Sequence, residues 1–316
     1  MVFAVYLPFC TADVRPTAPP SAAPMAALWE RPSDIEARDL FAGPWPRNRA
    51  PDPEATYTFV EKKHHGVNPG MTVRDPKGRK WSIKQAPTDG QASEAPIEVV
   101  LSRILSAVGY RQPPVYFLPS FTLADDRGTH VEPGGRFRLH DKSLKDAGEW
   151  SWQQNPFVGT KPYQGLLVIL LMFNSSDLKN VNNTLYEHKI DGGTERWYVV
   201  RDLGTALGET GKTAPRRGDI DLFERLPFIR GVDAGFVVFD YRGWHQELVR
   251  KRITPDDAGW AGELISTLSD RQWRDAFRAG GYAPDLAERF ITRLHTNIAQ
   301  AHRIGQDDGR PARERR

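Results

Sequence analysis

Residues 163–174 read YQGLLVILLMFN, a run that is apolar nearly all round. A helix of that composition has no polar stripe to offer water, so other elements must wrap it on every side. It is too short for a membrane span, which takes about eighteen apolar residues, and no other stretch reaches that length. The chain therefore has to supply a helical body around it. Residues 258–268, 270–279 and 284–301 show the helical spacing needed, with Gly280-Gly281 as a break. Strand-like runs come earlier, at 56–60, 71–74 and 80–84. Strands first and helices later predict an α+β protein of two lobes, an antiparallel-sheet N-lobe and a mainly helical C-lobe.

The boundaries follow from punctuation. Proline spacing within 15–24 and 44–53 predicts that residues 1–50 are poorly ordered or loosely wrapped over the domain. The N-lobe is expected over 51–155, the helical lobe over 156–305 and a disordered tail over 306–316. Asp75-Pro76-Lys77-Gly78 is a turn between two alternating runs. A helix begins near Ser93, a capping residue, carries apolar residues at Ile97, Val100, Leu101, Ile104, Leu105 and Val108, and ends at Gly109. Residues 113–118 and 120–123 read as two further strands, and 125–156 as a connecting loop with short pieces of structure. Residues 196–203 form a strand, and 236–241 a buried strand or helix.

Composition narrows the functional classes. Forty-three basic residues against 40 acidic give a net charge of +3, which offers no case for nucleic acid. Cys10 is the only cysteine, so neither an internal disulfide nor a multi-thiolate zinc site is available. None of the eight histidines forms a His-x-x-x-His or zincin pattern, and no serine sits in a glycine-flanked nucleophile elbow. The apolar start at residues 1–10, followed by a Pro/Ala-rich stretch, is compatible with a truncated secretory or lipid-anchor signal, so cytoplasmic and exported locations both stay open.

Four polar features lie in an informative order. Lys84 ends a strand, where a fixed cation meets a nucleotide's phosphates; its bland reading is a solvated charge at a strand edge. Glu98, with Glu94 one turn earlier, lies on the helix face that packs on the sheet and needs a cation there; which of the two pairs with Lys84 is open. After the apolar helix comes Asp177-Leu-Lys179-Asn-Val-Asn182. A carboxylate that orients an acceptor hydroxyl and an amide that turns back to a metal require this spacing, with Lys179 placed to balance transferring charge. A polar turn would use the same residue types. Last, Asp202 ends an apolar strand and is followed by Leu203-Gly204, the position of a carboxylate that chelates Mg²⁺ against phosphates.

That order resembles the protein-kinase-like superfamily over residues 56–208. Ser-Ile-Lys84 is similar to its Val-Ala-Ile-Lys strand, Asp177 to Asn182 to its catalytic loop, and Asp202-Leu-Gly204 to its Asp-Phe-Gly motif. The pattern is most similar to the atypical branches, namely the HipA-like kinases, the type II phosphatidylinositol 4-kinases and the secretory-pathway kinases. The resemblance implies an ATP- and Mg²⁺-dependent phosphotransferase acting on a protein, lipid or small molecule. Asp177 and Lys179 would be catalytic, Asp202 and Asn182 would hold metal, and Lys84, Glu98, Gly66 and Gly70 would hold nucleotide. A pseudokinase scaffold or an AMP-transferring enzyme is the alternative. Three departures stand out: Ser175-Ser176 replace His-Arg before Asp177, residues 64–70 lack the three-glycine pattern, and no Ala-Pro-Glu follows Asp202.

Overall fold

The computed structural model of the chain describes residues 23–63, 68–87, 93–209 and 216–309. Its fold is mixed α+β. Five strands, β1 (Thr56–Lys62), β2 (Gly70–Arg74), β3 (Lys80–Gln85), β4 (Val115–Asp125) and β5 (Gly128–Leu139), close into a barrel in the order β1-β2-β3-β5-β4. The expectation of a purely antiparallel sheet is corrected here. An odd number of strands cannot alternate in direction around a ring, so one contact must be parallel. It is β1 with β4, through Thr56↔Thr122, Tyr57↔Leu123 and Thr58↔Ala124.

Alternation along the strands sorts the barrel into two faces. Tyr57, Val73, Trp81, Ile83, Phe121 and Phe137 point inward and are 2% exposed or less. Tyr57, Phe121 and Phe137 meet with ring centroids 5.3–6.0 Å apart, a geometry that adds to their burial. The opposite face of β3 and β5 turns outward to helix α1 (Glu94–Ala107), whose start is capped by Ser93 accepting from the Ala95 N–H.

β5 lies where the sequence reads as loop, within 125–156. Pro133-Gly134-Gly135 hides it, since these residues normally interrupt a strand. The glycine at 134 is there because β4 passes too close for a side chain: a Cβ on it would lie 2.0 Å from the Leu118 carbonyl oxygen. β4 is likewise one strand through Pro119 rather than two. The same expected loop also contains β6 (Leu144–Asp146), which joins β7 (Asn183–Ile190) and β8 (Gly193–Val200) in a three-stranded sheet.

Around α2 (Lys161–Met172), every residue from Pro162 to Met172 is buried. The wrapping comes from α4 (Pro255–Ser266), α5 (Asp270–Ala279) and α6 (Pro284–Gly309), after a short α3 (Ile220–Arg225). Thr254 and Ser269 open α4 and α5 with reciprocal capping boxes. Asn297 of α6 donates to the Met172 carbonyl at 2.8 Å, satisfying an end that α2 cannot satisfy itself. Between α3 and α4 the chain is less helical than expected: β9 (Ile229–Asp233) and β10 (Phe236–Phe239) form a hairpin through Ala234-Gly235. No helix among the described residues is long and apolar enough to cross a membrane.

Of the segment 1–50, residues 1–22 lie outside the described residues, and 24–50 wrap over the rest of the fold. They carry three 3-10 turns and pack on the rest, with Leu28 and Leu40 buried. Arg38 donates to the Ser106 and Ala107 carbonyls at 2.9 Å, finishing α1. Trp45 covers the buried Arg103 guanidinium at 4.7 Å. The prolines set the path of this segment and do not release it. α6 also continues helically through residues 306–309, into the tail expected to be disordered.

Gly134→Ala is expected to destabilise the barrel by about 1–3 kcal/mol, as overpacking does, in urea unfolding. An unchanged midpoint would mean that β4 does not approach as closely as described.

Candidate active site

β3 and β5 pair with Ser82 opposite Arg138 and Lys84 opposite Arg136. Directly opposed residues share a face, so Lys84, Arg136 and Arg138 all point away from the barrel core toward α1. Glu94 and Glu98 lie one helical turn apart on the α1 face they meet. Lys84 Nζ is 3.1 Å from Glu94 Oε2, 3.2 Å from Glu98 Oε2 and 2.8 Å from Asp202 Oδ1. The question of Glu94 or Glu98 thus has the answer that both contact the lysine.

Arg136 Nε lies 3.0 Å from Glu98 Oε1 as an ion pair and Arg138 Nη2 donates to the same oxygen, while Arg217 Nη1 pairs with Glu94 Oε1. Four cations and three carboxylates meet within a layer that is mostly buried, and Lys63 adds a further positive charge beside it. Lys84 is 4% exposed, Glu98 2% and Arg136 2%. Asp202 forms the open side, with 41% of its side chain exposed.

The electrostatics follow from this packing. Burial alone would push the Lys84 ammonium down, but Glu98, Asp202 and Glu94 together hold it above the ordinary lysine value. Burial would raise Glu98, yet Arg136, Lys84 and Arg138 keep its carboxyl well below the usual range. Asp202 is depressed as well: burial and the repulsion of Glu98 raise it, and Lys84 and Arg138 together bring it down. Arg136, desolvated and beside Arg138, is brought down to about 10.

Behind α2 the chain turns at Asn174 and runs into residues 175–182. Ser176 N–H donates to the Thr205 carbonyl at 3.3 Å. Asn182 Nδ2 donates to the backbone oxygen of Asp177 at 2.7 Å and to its Oδ2 at 3.0 Å. Lys179 Nζ lies 2.7 Å from Asp177 Oδ1 and 4.8 Å from the centre of the Trp244 ring. Both oxygens of the Asp177 carboxylate are thereby oriented.

The β7–β8 hairpin joins this segment to Asp202. Asn183 pairs with Val200, and Arg201 N–H donates to the Asn182 carbonyl at 2.8 Å, so Asn182 and Asp202 flank the same end of the hairpin. Asp202 itself takes a left-handed backbone, φ 51°, a region that Asp tolerates better than most residues.

Gly70 opens β2 directly opposite Lys84. Gly66 lies outside the described residues. No group of three or more His, Cys, Asp or Glu stands ready for a metal among the described residues. The donors at the hairpin end are instead Asp202 and the Asn182 amide, whose nitrogen is spent on Asp177 and whose Oδ1 is therefore the atom left for a cation. Hard oxygen donors few in number suit Mg²⁺, which takes one or two carboxylates and completes its shell from phosphate and water.

Arg136, Arg138 and Arg217 escaped the sequence-based expectations. The signal for the first two was Arg136-Phe137-Arg138 itself: charge, apolar, charge at strand period puts two cations on one face, and two buried cations require a carboxylate. Arg217 carried no comparable signal.

Glu98→Gln is expected to cost about 3–5 kcal/mol at neutral pH, because it strands two buried arginines. The depressed Glu98 carboxyl stabilises the fold fully above the ordinary glutamate value of 4.5, and that contribution drains away as pH falls below it. Denaturant unfolding across acid pH should therefore show a shallower loss in the variant than in the parent; parallel curves would refute the role.

No protein-family sequence profile matches this chain, and no curated protein matches it. Among solved structures it is similar to the Helicobacter pylori proinflammatory kinase CtkA, at 11% sequence identity and a TM-score of 0.48, over 80% of this chain and 99% of that one.

Proposed function

We propose that the chain is an ATP- and Mg²⁺-dependent phosphotransferase of the protein-kinase-like kind, with a two-lobed arrangement of barrel and helical body. One observation carries this reading: Lys84 and Asp202, 118 positions apart, meet at 2.8 Å. Asn182 is tied by its backbone to the residue before Asp202. A fixed ammonium, a carboxylate and an amide oxygen gathered at one open edge suit a polyphosphate and its counter-cation.

Lys84, steadied by Glu98, would hold the α- and β-phosphates. Asp202 and Asn182 would hold Mg²⁺, which supplies charge neutralisation on the phosphate oxygens when bound. Asp177 would orient the acceptor hydroxyl and take its proton as the acceptor oxygen bonds to the γ-phosphorus and the bond to the β–γ bridging oxygen breaks. Lys179 would offset charge on the transferring group. Such catalysis is positioning and electrostatics, because the transition state asks chiefly for charge compensation. The cations gathered in the buried layer support an anionic ligand.

Asp202→Ala is expected to abolish Mg-ATP binding in calorimetry, whereas Asp177→Ala binds Mg-ATP like the parent. Asp177→Ala should lower turnover by about 10²-fold or more, the usual contribution of a positioned acid or base. If Asp202→Ala retains full affinity, the proposed site is not where the nucleotide sits.

A further inference from the structure

Resting on that reading, we infer that Arg217 is a positioning residue that governs how tightly Lys84 is available to phosphate, acting through Glu94. Three observations converge on Glu94. Its Oε2 takes Lys84 at 3.1 Å and its Oε1 takes Arg217, so one carboxylate links the two cations. Gly204, two residues beyond Asp202, lies flat against it: a Cβ there would come within 2.4 Å of Glu94 Cβ and 2.9 Å of its backbone oxygen. Arg217 itself is only 7% exposed.

Gly204 and Arg217 belong to two arms of one loop. Gly218 N–H donates to the Ala206 carbonyl at 3.0 Å, Glu209 and Arg216 bridge as an antiparallel pair, and Leu207 N–H donates to the Phe173 carbonyl at 2.8 Å. The outgoing arm thus presses on Glu94 while the returning arm grips its charge.

The two glutamates then have different duties. Glu98 is shared with Arg136 and Arg138 and welds α1 to β5. The counter-charges of Glu94 among the described residues are Lys84 and Arg217. Remove the Arg217 charge and the layer loses one unit of positive charge, with Glu94 left to oppose phosphate and hold Lys84. Neutralising Glu94 as well restores the net charge of the parent. A change in the position of the returning arm would reach the phosphate site by the same route.

The test is calorimetric binding of Mg-ATP and of adenosine, which lacks phosphate. Arg217→Gln is expected to weaken Mg-ATP about tenfold, equivalent to about 1.4 kcal/mol, and to leave adenosine unchanged within about twofold. The double variant Glu94→Gln/Arg217→Gln should bind Mg-ATP within about threefold of the parent, a coupling that two residues in contact can show. Glu94→Gln alone should bind it at least as tightly as the parent, and this variant carries the test if Arg217→Gln does not fold. Parental affinity in Arg217→Gln, no rescue in the double variant, or weakened binding in Glu94→Gln overturns the inference and leaves the proposed function standing. A parent chain that binds no Mg-ATP removes both.

Discussion

Everything at the centre of this molecule is arranged around a buried layer of charge between β3, β5 and α1. Glu98 touches Lys84, Arg136 and Arg138 at once, so one carboxylate ties two strands to a helix. Charges in such a place are costly to desolvate and tolerable only when each has a partner. The layer therefore fixes how α1 sits on the barrel more narrowly than apolar packing would. Apolar contacts surround it on both sides, with Phe137 and Ile83 inward and Leu101 and Ile104 toward the helical body.

That arrangement explains why Lys84 can be both deeply buried and fully charged. Its ammonium is held above the ordinary lysine value by three carboxylates, of which Asp202 is the most exposed. Incoming anionic groups would meet the cluster at that side. The β7–β8 register brings Asn182 to the same place, and the Asn182 amide in turn orients Asp177. Backbone pairing thus positions the polar groups, and local hydrogen bonds set their angles.

Much of the element pattern was legible in the residues themselves. α1, α2 and the last three helices announced themselves by apolar spacing and caps, and β3 by alternation ending at Lys84. Lys84, Asp177, Asn182 and Asp202 could be singled out because each stood at or just beyond an element end, and Glu98 because it lay on the helix face turned to the sheet. β5 could not, because the same glycines that admit a close neighbour also look like a break in the strand. The packing of residues 24–50 was hidden for another reason. It rests on scattered single contacts, Arg38 on carbonyls and Trp45 on Arg103, which leave no periodic trace. Arg217 shows the limit most clearly, since its partner lies 123 positions away and nothing local marks it.

The ring closure of the barrel has a consequence for how this protein meets other chains. A sheet closed on itself offers no row of unpaired amides and carbonyls along which a foreign strand could zip. The β1–β4 seam, short as it is, withdraws Thr56–Thr58 and Thr122–Ala124 from that docking mode. Among the described residues the sheets with open edges are β6-β7-β8 and the β9–β10 hairpin, and the latter leads directly to Tyr241, whose hydroxyl donates to the Ser176 carbonyl beside Asp177.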